Sequence, residues 1–407
     1  MVQIRPFRGL RYAVESDPAL YAPPYDVIDP HQRQALLAAS PYNVAAIDVG
    51  PTPPDSAWYD QAAHTLRNWL ARGVLRRDDE PALYGYRQTF QWAGQHYTRC
   101  GVMACVRLAP WGQGIHRHEL TRSQPKADRL QLMRALNLQA SPVFGLFEDP
   151  QRLATAILNG SRPADALDIT DGDGVRHVFW PITTPNSIAT LQRVLAGSDV
   201  VIADGHHRYE TALALSEERR ASQGSSAADD VLMCLVPVDD PGLLILPTHR
   251  VIKTAALAPD ALLSALAQRL SVTPTQDALS AAIAGRKRAF GLRLPGQSYV
   301  LSLPDTGPAG QDADALDVSL LRDVILEPVL GITAEQLADS DLVSYTIDES
   351  EACRRVDDGQ AALALILNPT PLSAVWSMAL RGQVMPQKST FFYPKLLTGL
   401  VMNPLWD

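Results

Sequence analysis

Apolar positions along this chain repeat with two periods, near 3.6 and near 2, and the way they alternate predicts a mixed α/β protein. Residues 83–90 and 97–107 alternate as two strands around Trp92-Ala-Gly-Gln95, a hairpin pattern. Residues 166–170 and 175–182 form a second such pair, turned by Asp171-Gly-Asp-Gly174, and the apolar stretches 231–238 and 243–246 read as a third. A helix is expected after Asp29, which precedes Pro30 as an N-cap precedes a proline at the first helical position. Further helices are expected over residues 56–73, 126–138, 186–196 and 206–220, and after Pro259. Residues 221–230, rich in Ser, Ala and Gly, read as a surface loop.

Residues 304–315, rich in Pro, Gly and Asp, are the best candidate for a linker. Three regions are therefore expected: an N-terminal α/β region over 1–110, a core over 111–303, and a C-terminal α/β region over 316–407 that closes the site. In the last of these, residues 345–347, 351–357 and 361–366 suggest a small α/β unit, and no internal repeat is visible.

Composition narrows the class. A chain of 407 residues, 46% hydrophobic and 20% charged, can bury a large core in two or three domains. The formal charge of −8 argues against general affinity for nucleic acid, which needs clustered Lys and Arg. Charge appears early in Met1-Val-Gln-Ile-Arg-Pro-Phe-Arg-Gly9, unlike a secretory signal, and no apolar run reaches membrane-spanning length. The scattered Cys100, Cys105, Cys234 and Cys353 fit reduced thiols, so the expected compartment is the cytoplasm.

The densest chemical signal lies at Val200-Val-Ile-Ala-Asp-Gly-His-His-Arg-Tyr-Glu210. An apolar strand ends at Asp204-Gly205 and passes directly into a helix whose first turn carries His206, His207 and Arg208. Such a turn aims free backbone N–H groups and the positive end of the helix dipole at one point. Cationic side chains there oppose the dipole unless an anion sits on the turn. The bland reading is an Asp-Gly turn with solvent-facing histidines and Arg208 paired to Glu210 or Glu217. Neither a Gly-x-x-x-x-Gly-Lys-Ser/Thr loop nor a Gly-x-Gly-x-x-Gly after a strand is present.

A second cluster, Ile115-His-Arg-His-Glu-Leu-Thr-Arg122, packs two histidines, two arginines and a carboxylate ahead of a helix. Arg122 is a candidate substrate ligand, although Glu119 could simply pair with it. His116, His118 and Glu119 with His206 or His207 supply metal-ligand types, but their spacing is not a standard zinc pattern. Magnesium held by Asp204 and the phosphates of a donor is the more natural metal reading, because Mg²⁺ prefers oxygen. Thr248, His249 and Arg250 follow a strand as further candidate substrate ligands, with a surface turn as the alternative. In Lys388-Ser-Thr-Phe-Phe-Tyr-Pro-Lys395, the aromatics suit packing, whereas Lys388, Ser389 and Lys395 are candidate phosphate ligands.

Asp204-Gly-His-His-Arg208 resembles the phosphate motif of the ParB/sulfiredoxin superfamily, which includes ParB-type nucleotidases, sulfiredoxin and free serine kinases. The whole chain also resembles the DUF1015 family, a bacterial group of unassigned function. That match runs from Arg5-Pro-Phe7 and Ala22-Pro-Pro-Tyr-Asp-Val-Ile28, through His118-Glu-Leu-Thr-Arg122 and the His-His-Arg loop, to Ser389-Thr-Phe-Phe-Tyr-Pro-Lys395. The resemblance implies a ParB/sulfiredoxin-like core with added N- and C-terminal α/β elements. In free serine kinases an isoleucine-initiated segment ending in His-Glu supplies the base, and His118-Glu119 resembles it. It implies Gly205, His206, His207 and Arg208 as a phosphate cradle, Glu119 as proton acceptor beside His118, and Asp204 as a metal or hydroxyl partner. The expected activity is transfer of a phosphoryl group from ATP, ADP or pyrophosphate to a small hydroxyl acceptor such as L-serine. The alternatives are a nucleotide-binding regulatory module of ParB type and a metal-dependent phosphohydrolase.

Overall fold

The computed structural model describes the chain apart from residues 52–54, 121–122, 161–162, 225, 304–315, 334–335, 338–341, 387 and 407, so Arg122 and the candidate linker lie outside the described residues. The described chain is mixed α/β and divides into two units, Met1–Leu244 with Pro394–Asp407, and Ile245–Tyr393.

The first unit grows from the hairpin Leu83–Trp92 and Gln95–Arg107. Its two-residue turn places Ala93 and Gly94 at φ 48° and 77°, the paired positive values that match the twist of the flanking strands. The sheet runs, in order, Ile115–His116, Val200–Asp204, Val143–Phe147, Asp230–Pro237, Gln95–Arg107, Leu83–Trp92, Arg176–Ile182 and Leu167–Thr170, with Ile4–Arg5 added on Gln95–Arg107. Asp230–Pro237 is buried at every position, parallel to Val143–Phe147 on one side and antiparallel to Gln95–Arg107 on the other. A strand covered on both faces reads as a continuous apolar run rather than an alternating one. The core gathers Val102, Phe147, Trp180, Ile202, Met233 and Leu235 with Leu191 and Leu195 from the Pro185–Ala196 helix. Each such side chain contributes about 1.5–3 kcal/mol by leaving water.

What positions the site is the edge of this sheet. Val200–Asp204 pairs parallel with Ile115–His116, so the two strands release the Asp204-Gly205 turn and the His118-Glu119 segment at the same end. Ligands of α/β sheets commonly sit at that carboxyl end. The pairing of Val200–Asp204 with Val143–Phe147 shifts register between Ile202 and Asp204, a bulge that re-aims the chain just before the turn.

The second unit is a six-stranded antiparallel sheet in the order Ser271–Pro274, Gln297–Ser302, Ala289–Leu294, Leu363–Ile366, His249–Ile252 and Val343–Thr346. Val251, Ile283, Ala289, Val300, Val356 and Ile366 form its core. The expected Pro259 helix is Pro259–Ala267, and the expected 351–357 helix is Glu349–Asp357, capped by the Asp348 side chain on the N–H groups of Ser350 and Glu351.

Several expectations change. Leu244–Leu246 does not return onto Asp230–Pro237, whose two edges are taken; it pairs with Phe391–Tyr393. The supposed loop over 221–230 is mostly ordered, because the His206–Gln223 helix runs on and a short 3₁₀ turn, Ala227–Asp229, follows under a Ser226 cap. The division of the chain also differs from the expected 110/111 and 304–315 breaks. Gln95–Arg107 lies inside the same sheet as Val200–Asp204, and strands from both sides of 304–315 interleave in the second sheet. Sequence order hides such interleaving, since neighbours in a sheet need not be neighbours in the chain.

Candidate functional site

The Asp204-Gly205 turn holds its shape through its own groups. Gly205 has φ 91°, in the left-handed region, and starts the His206–Gln223 helix with no side-chain cap. A Cβ there would stand 2.9 Å from Arg208 Nε and 3.0 Å from its Cζ, so only glycine lets the guanidinium fold back beneath the turn. Asp204 Oδ1 accepts from the Gly205 N–H at 2.8 Å. Its Oδ2 accepts from Lys395 Nζ at 3.2 Å and lies 3.6 Å from an Arg208 terminal nitrogen. Burial alone would raise the Asp204 carboxyl, but Lys395, Arg208 and the Lys395 hydrogen bond hold it well below the usual carboxylate range.

Three cationic residues without counter-charge were the sequence picture of this turn, and the structure revises it. Arg208 is buried, donates to the Pro142 carbonyl and faces Asp204; burial would lower its guanidinium, but Asp204 and Asp26 raise it. His206 is buried, and burial with the neighbouring His118 ring pushes it well below its ordinary value, so the ring is neutral. Its Nε2 accepts the His118 backbone N–H at 3.4 Å, which puts the ring proton on Nδ1. His207 is half-buried beside it.

His118 is fully buried and donates from Nδ1 to the Ile202 carbonyl at 2.7 Å. Burial pushes it down to about 4. Its ring meets that of His206 edge-on, 4.7 Å between centroids. His118 thus ties the Glu119 segment to the strand that carries Asp204. Glu119 is one-fifth exposed, its Oε1 4.0 Å from His118 Nε2, and Leu120 beyond it is half exposed.

Lys395 reaches Asp204 because a buried polar row holds its backbone. Arg99 donates to the Pro394 carbonyl at 2.6 Å, Gln88 donates to the Lys395 carbonyl at 2.9 Å, and the Tyr86 hydroxyl accepts the Leu397 N–H at 3.5 Å. Gln88 and Arg99 face each other across the hairpin, and Tyr86 is supported by His177, which is bonded in turn to Asp171 at 2.9 Å. These residues were missed from sequence. The available signal was polar Gln88 and Arg99 at opposed positions of an otherwise buried hairpin.

Also unforeseen is a group beneath the turn. Arg129 is buried, donates to the Asp48 carbonyl at 2.6 Å and lies 4.1 Å over the Tyr25 ring. Ser141 donates to Asp48 Oδ2 at 2.9 Å. Tyr25, in the Ala22-Pro-Pro-Tyr-Asp-Val-Ile28 segment, is thereby brought beneath the turn. Farther along the same helix, Glu210 accepts from Lys126 at 2.5 Å and Trp111 at 3.3 Å, and faces Arg117 at 3.4 Å, so its expected pairing with Arg208 is replaced.

The remaining candidates gather in the second unit. Thr248 Oγ1 donates to the Lys388 carbonyl at 2.5 Å, and Arg250 donates to the Thr248 and Lys388 carbonyls while lying 5.5 Å over the Tyr345 ring. His249 is buried and pushed down to about 4 by burial, with its Nδ1 accepting the Leu367 N–H. Ser389 donates to the Pro386 carbonyl. Lys388 and Ser389 are thus brought to Thr248 and Arg250, whereas Lys395 is brought to Asp204.

Asp204 does not suit a divalent cation. Two cations already face its Oδ2, and a third there would meet both. Among the described residues no group of three His, Cys, Asp or Glu side chains is placed to hold a metal.

A strand-turn-helix whose aspartate is clamped by two cations thus stands at the sheet edge of a mixed α/β protein. The chain belongs to the family described as a protein of unknown function, DUF1015, whose model matches residues 4–319. No curated protein matches the sequence. Among solved structures the chain is similar to a mutant free serine kinase in complex with AMP, at 13% identity and TM-score 0.39, covering 74% of this chain and 92% of that one. It is similar as well to a conserved hypothetical protein from Pyrococcus furiosus, at 15% identity and TM-score 0.37, covering 74% and 95%. A third, SbnI with C-terminal truncation from Staphylococcus aureus, has 11% identity and TM-score 0.39, covering 73% and 87%. No helix among the described residues is long and apolar enough to cross a membrane.

Proposed function

We propose that the chain is a small-molecule phosphotransferase, moving a phosphoryl group from a nucleotide or pyrophosphate to a hydroxyl acceptor, with L-serine the first acceptor to test. The observation that carries this reading is the adjacency of two elements at one sheet end: an uncapped helix start behind Gly205, and the His118-Glu119 segment locked to it through His206. The backbone of residues 205–208 and the positive end of their helix supply donors to a phosphate. His207 and Lys395 are the side chains of this turn best able to meet it, with Arg208 acting from beneath. Glu119 takes the proton as the acceptor oxygen bonds to phosphorus and the donor's bridging P–O bond breaks. His118, buried and neutral, holds the segment that carries Glu119 against the strand of Asp204 through its bond to the Ile202 carbonyl. Any Mg²⁺ would come with the donor phosphates rather than be held by Asp204. Arg122 stays as a candidate acceptor ligand.

The test is a screen of hydroxyl amino acids against ATP, ADP and pyrophosphate that reads phosphorylated product and free phosphate together. Phosphorylated product is the expected result. Free phosphate without product would make the chain a phosphohydrolase, and nucleotide binding without either would make it a regulatory module.

A further inference from the structure

Among the described residues, two buried polar atoms on the helix behind the turn have no hydrogen-bond partner: Arg208 Nε and Thr211 Oγ1. Arg208 is 7% exposed and Thr211 1%. Three positions apart on one helix, they share a face. Both line a small recess of about 40 Å³, with Tyr25, Asp48, Arg129 and Ser141 on the same lining. Of these, Arg129 is engaged by Asp48 and Asp128, and Asp48 also by Ser141. Leu132, Met133, Leu136, Val143 and Val231 supply an apolar wall.

We infer that this recess is a binding site for a short aliphatic carboxylate. The two atoms set the chemistry. A buried guanidinium N–H without an acceptor loses its hydration with nothing in return. It calls for an oxygen, and the Thr211 hydroxyl can donate to a second oxygen of the same group. A carboxylate offers two oxygens for two donors. A phosphate dianion has more acceptor oxygens than the recess has unengaged donors, and its burial cost would stay uncompensated. The Leu132 to Val231 wall takes the methylene tail, and the small volume limits that tail to a short one. Arg208 also faces Asp204, so the ligand would grip the same guanidinium that braces the turn. The recess shares Arg208 with the phosphate turn proposed above, whereas Thr211 belongs to the recess alone, so a Thr211 variant tests the two readings separately.

The experiment titrates the full chain with acetate, propionate and butyrate, with propionamide as neutral isostere, by calorimetry, and with pyrophosphate in parallel. Propionate is expected to bind, and Thr211→Val, which removes the hydroxyl at nearly equal volume, to weaken it roughly tenfold while pyrophosphate binding is unchanged. Thr211→Ser keeps the hydroxyl and should bind near the parental level, which separates a lost contact from a damaged fold. No carboxylate binding, equal binding of propionamide, or binding indifferent to Thr211→Val would each overturn the site. Pyrophosphate binding that fails while propionate still binds would instead count against the phosphate turn.

Discussion

Replacing Gly205 by alanine tests the turn most directly. At φ 91° an alanine pays the left-handed penalty, about 1–2 kcal/mol. Its Cβ would also stand 2.9 Å from Arg208 Nε, closer than real Cβ contacts come. The guanidinium is the flexible end of its side chain, but it is anchored on the Pro142 carbonyl and beside Asp204, so moving it weakens a charged hydrogen bond worth about 1.5–3 kcal/mol. Together the substitution should cost on the order of 2–4 kcal/mol. Urea unfolding followed by tryptophan fluorescence suits the measurement, since six of the seven tryptophans, all but Trp376, lie in the unit that carries Gly205. The midpoint should fall with the slope unchanged. In an Arg208→Ala background the clash is gone, and Gly205→Ala should cost only the backbone part, about 1–2 kcal/mol. A single-variant cost below about 1 kcal/mol, or one that is the same in both backgrounds, would refute the packing of Arg208 under the turn.

Three further outcomes follow from the same geometry. Glu119→Gln should lower turnover by roughly 10²–10⁴-fold with donor affinity near normal; retained turnover at saturating substrate would show that Glu119 is not the base. Lys395→Met removes the hydrogen-bonded cation from a carboxyl held below its usual range. Asp204 contributes stability that is present above the unfolded carboxyl value of about 3.9 and is lost as pH falls toward its depressed native value. The variant should therefore unfold in acid at higher pH than the parent, and an unchanged acid midpoint would argue against the pair. His118, ordinary near 6.5 when unfolded and about 4 when folded, binds its proton only in the unfolded chain across that window. Stability should fall as pH drops from about 6.5 to 4, less steeply in His118→Asn, and an NMR titration placing His118 near its ordinary value would contradict the burial argument.

The local elements were readable because their signals are local. Asp29 caps Pro30–Ala39 with a reciprocal box to Gln32, the Ala93-Gly94 turn closes its hairpin, and Asp204-Gly205 divides strand from helix as expected. Each depends on backbone preferences of a few adjacent residues, which sequence carries in full. The charge state of the turn was not readable. His206 and Arg208 count as cations in a sequence, yet one is neutralised by burial and the other is matched by Asp204. Burial depends on what packs above a residue, and nothing within the motif specifies that.

Residue types and their spacing determined the strands and helices, the position of the Asp204 turn and the family. Tertiary structure alone decided which distant segments meet there. Lys395 stands at Asp204 because Gln88, Arg99 and Tyr86, some three hundred residues earlier, fix the backbone around it, and Lys388, seven positions away, is bonded elsewhere. Tyr25 and Asp48 join Arg129 beneath the turn by the same kind of long-range closure. Hydrophobic periodicity reports which face of an element is buried but not against what, and pairing across a sheet edge is selected only when the whole core assembles.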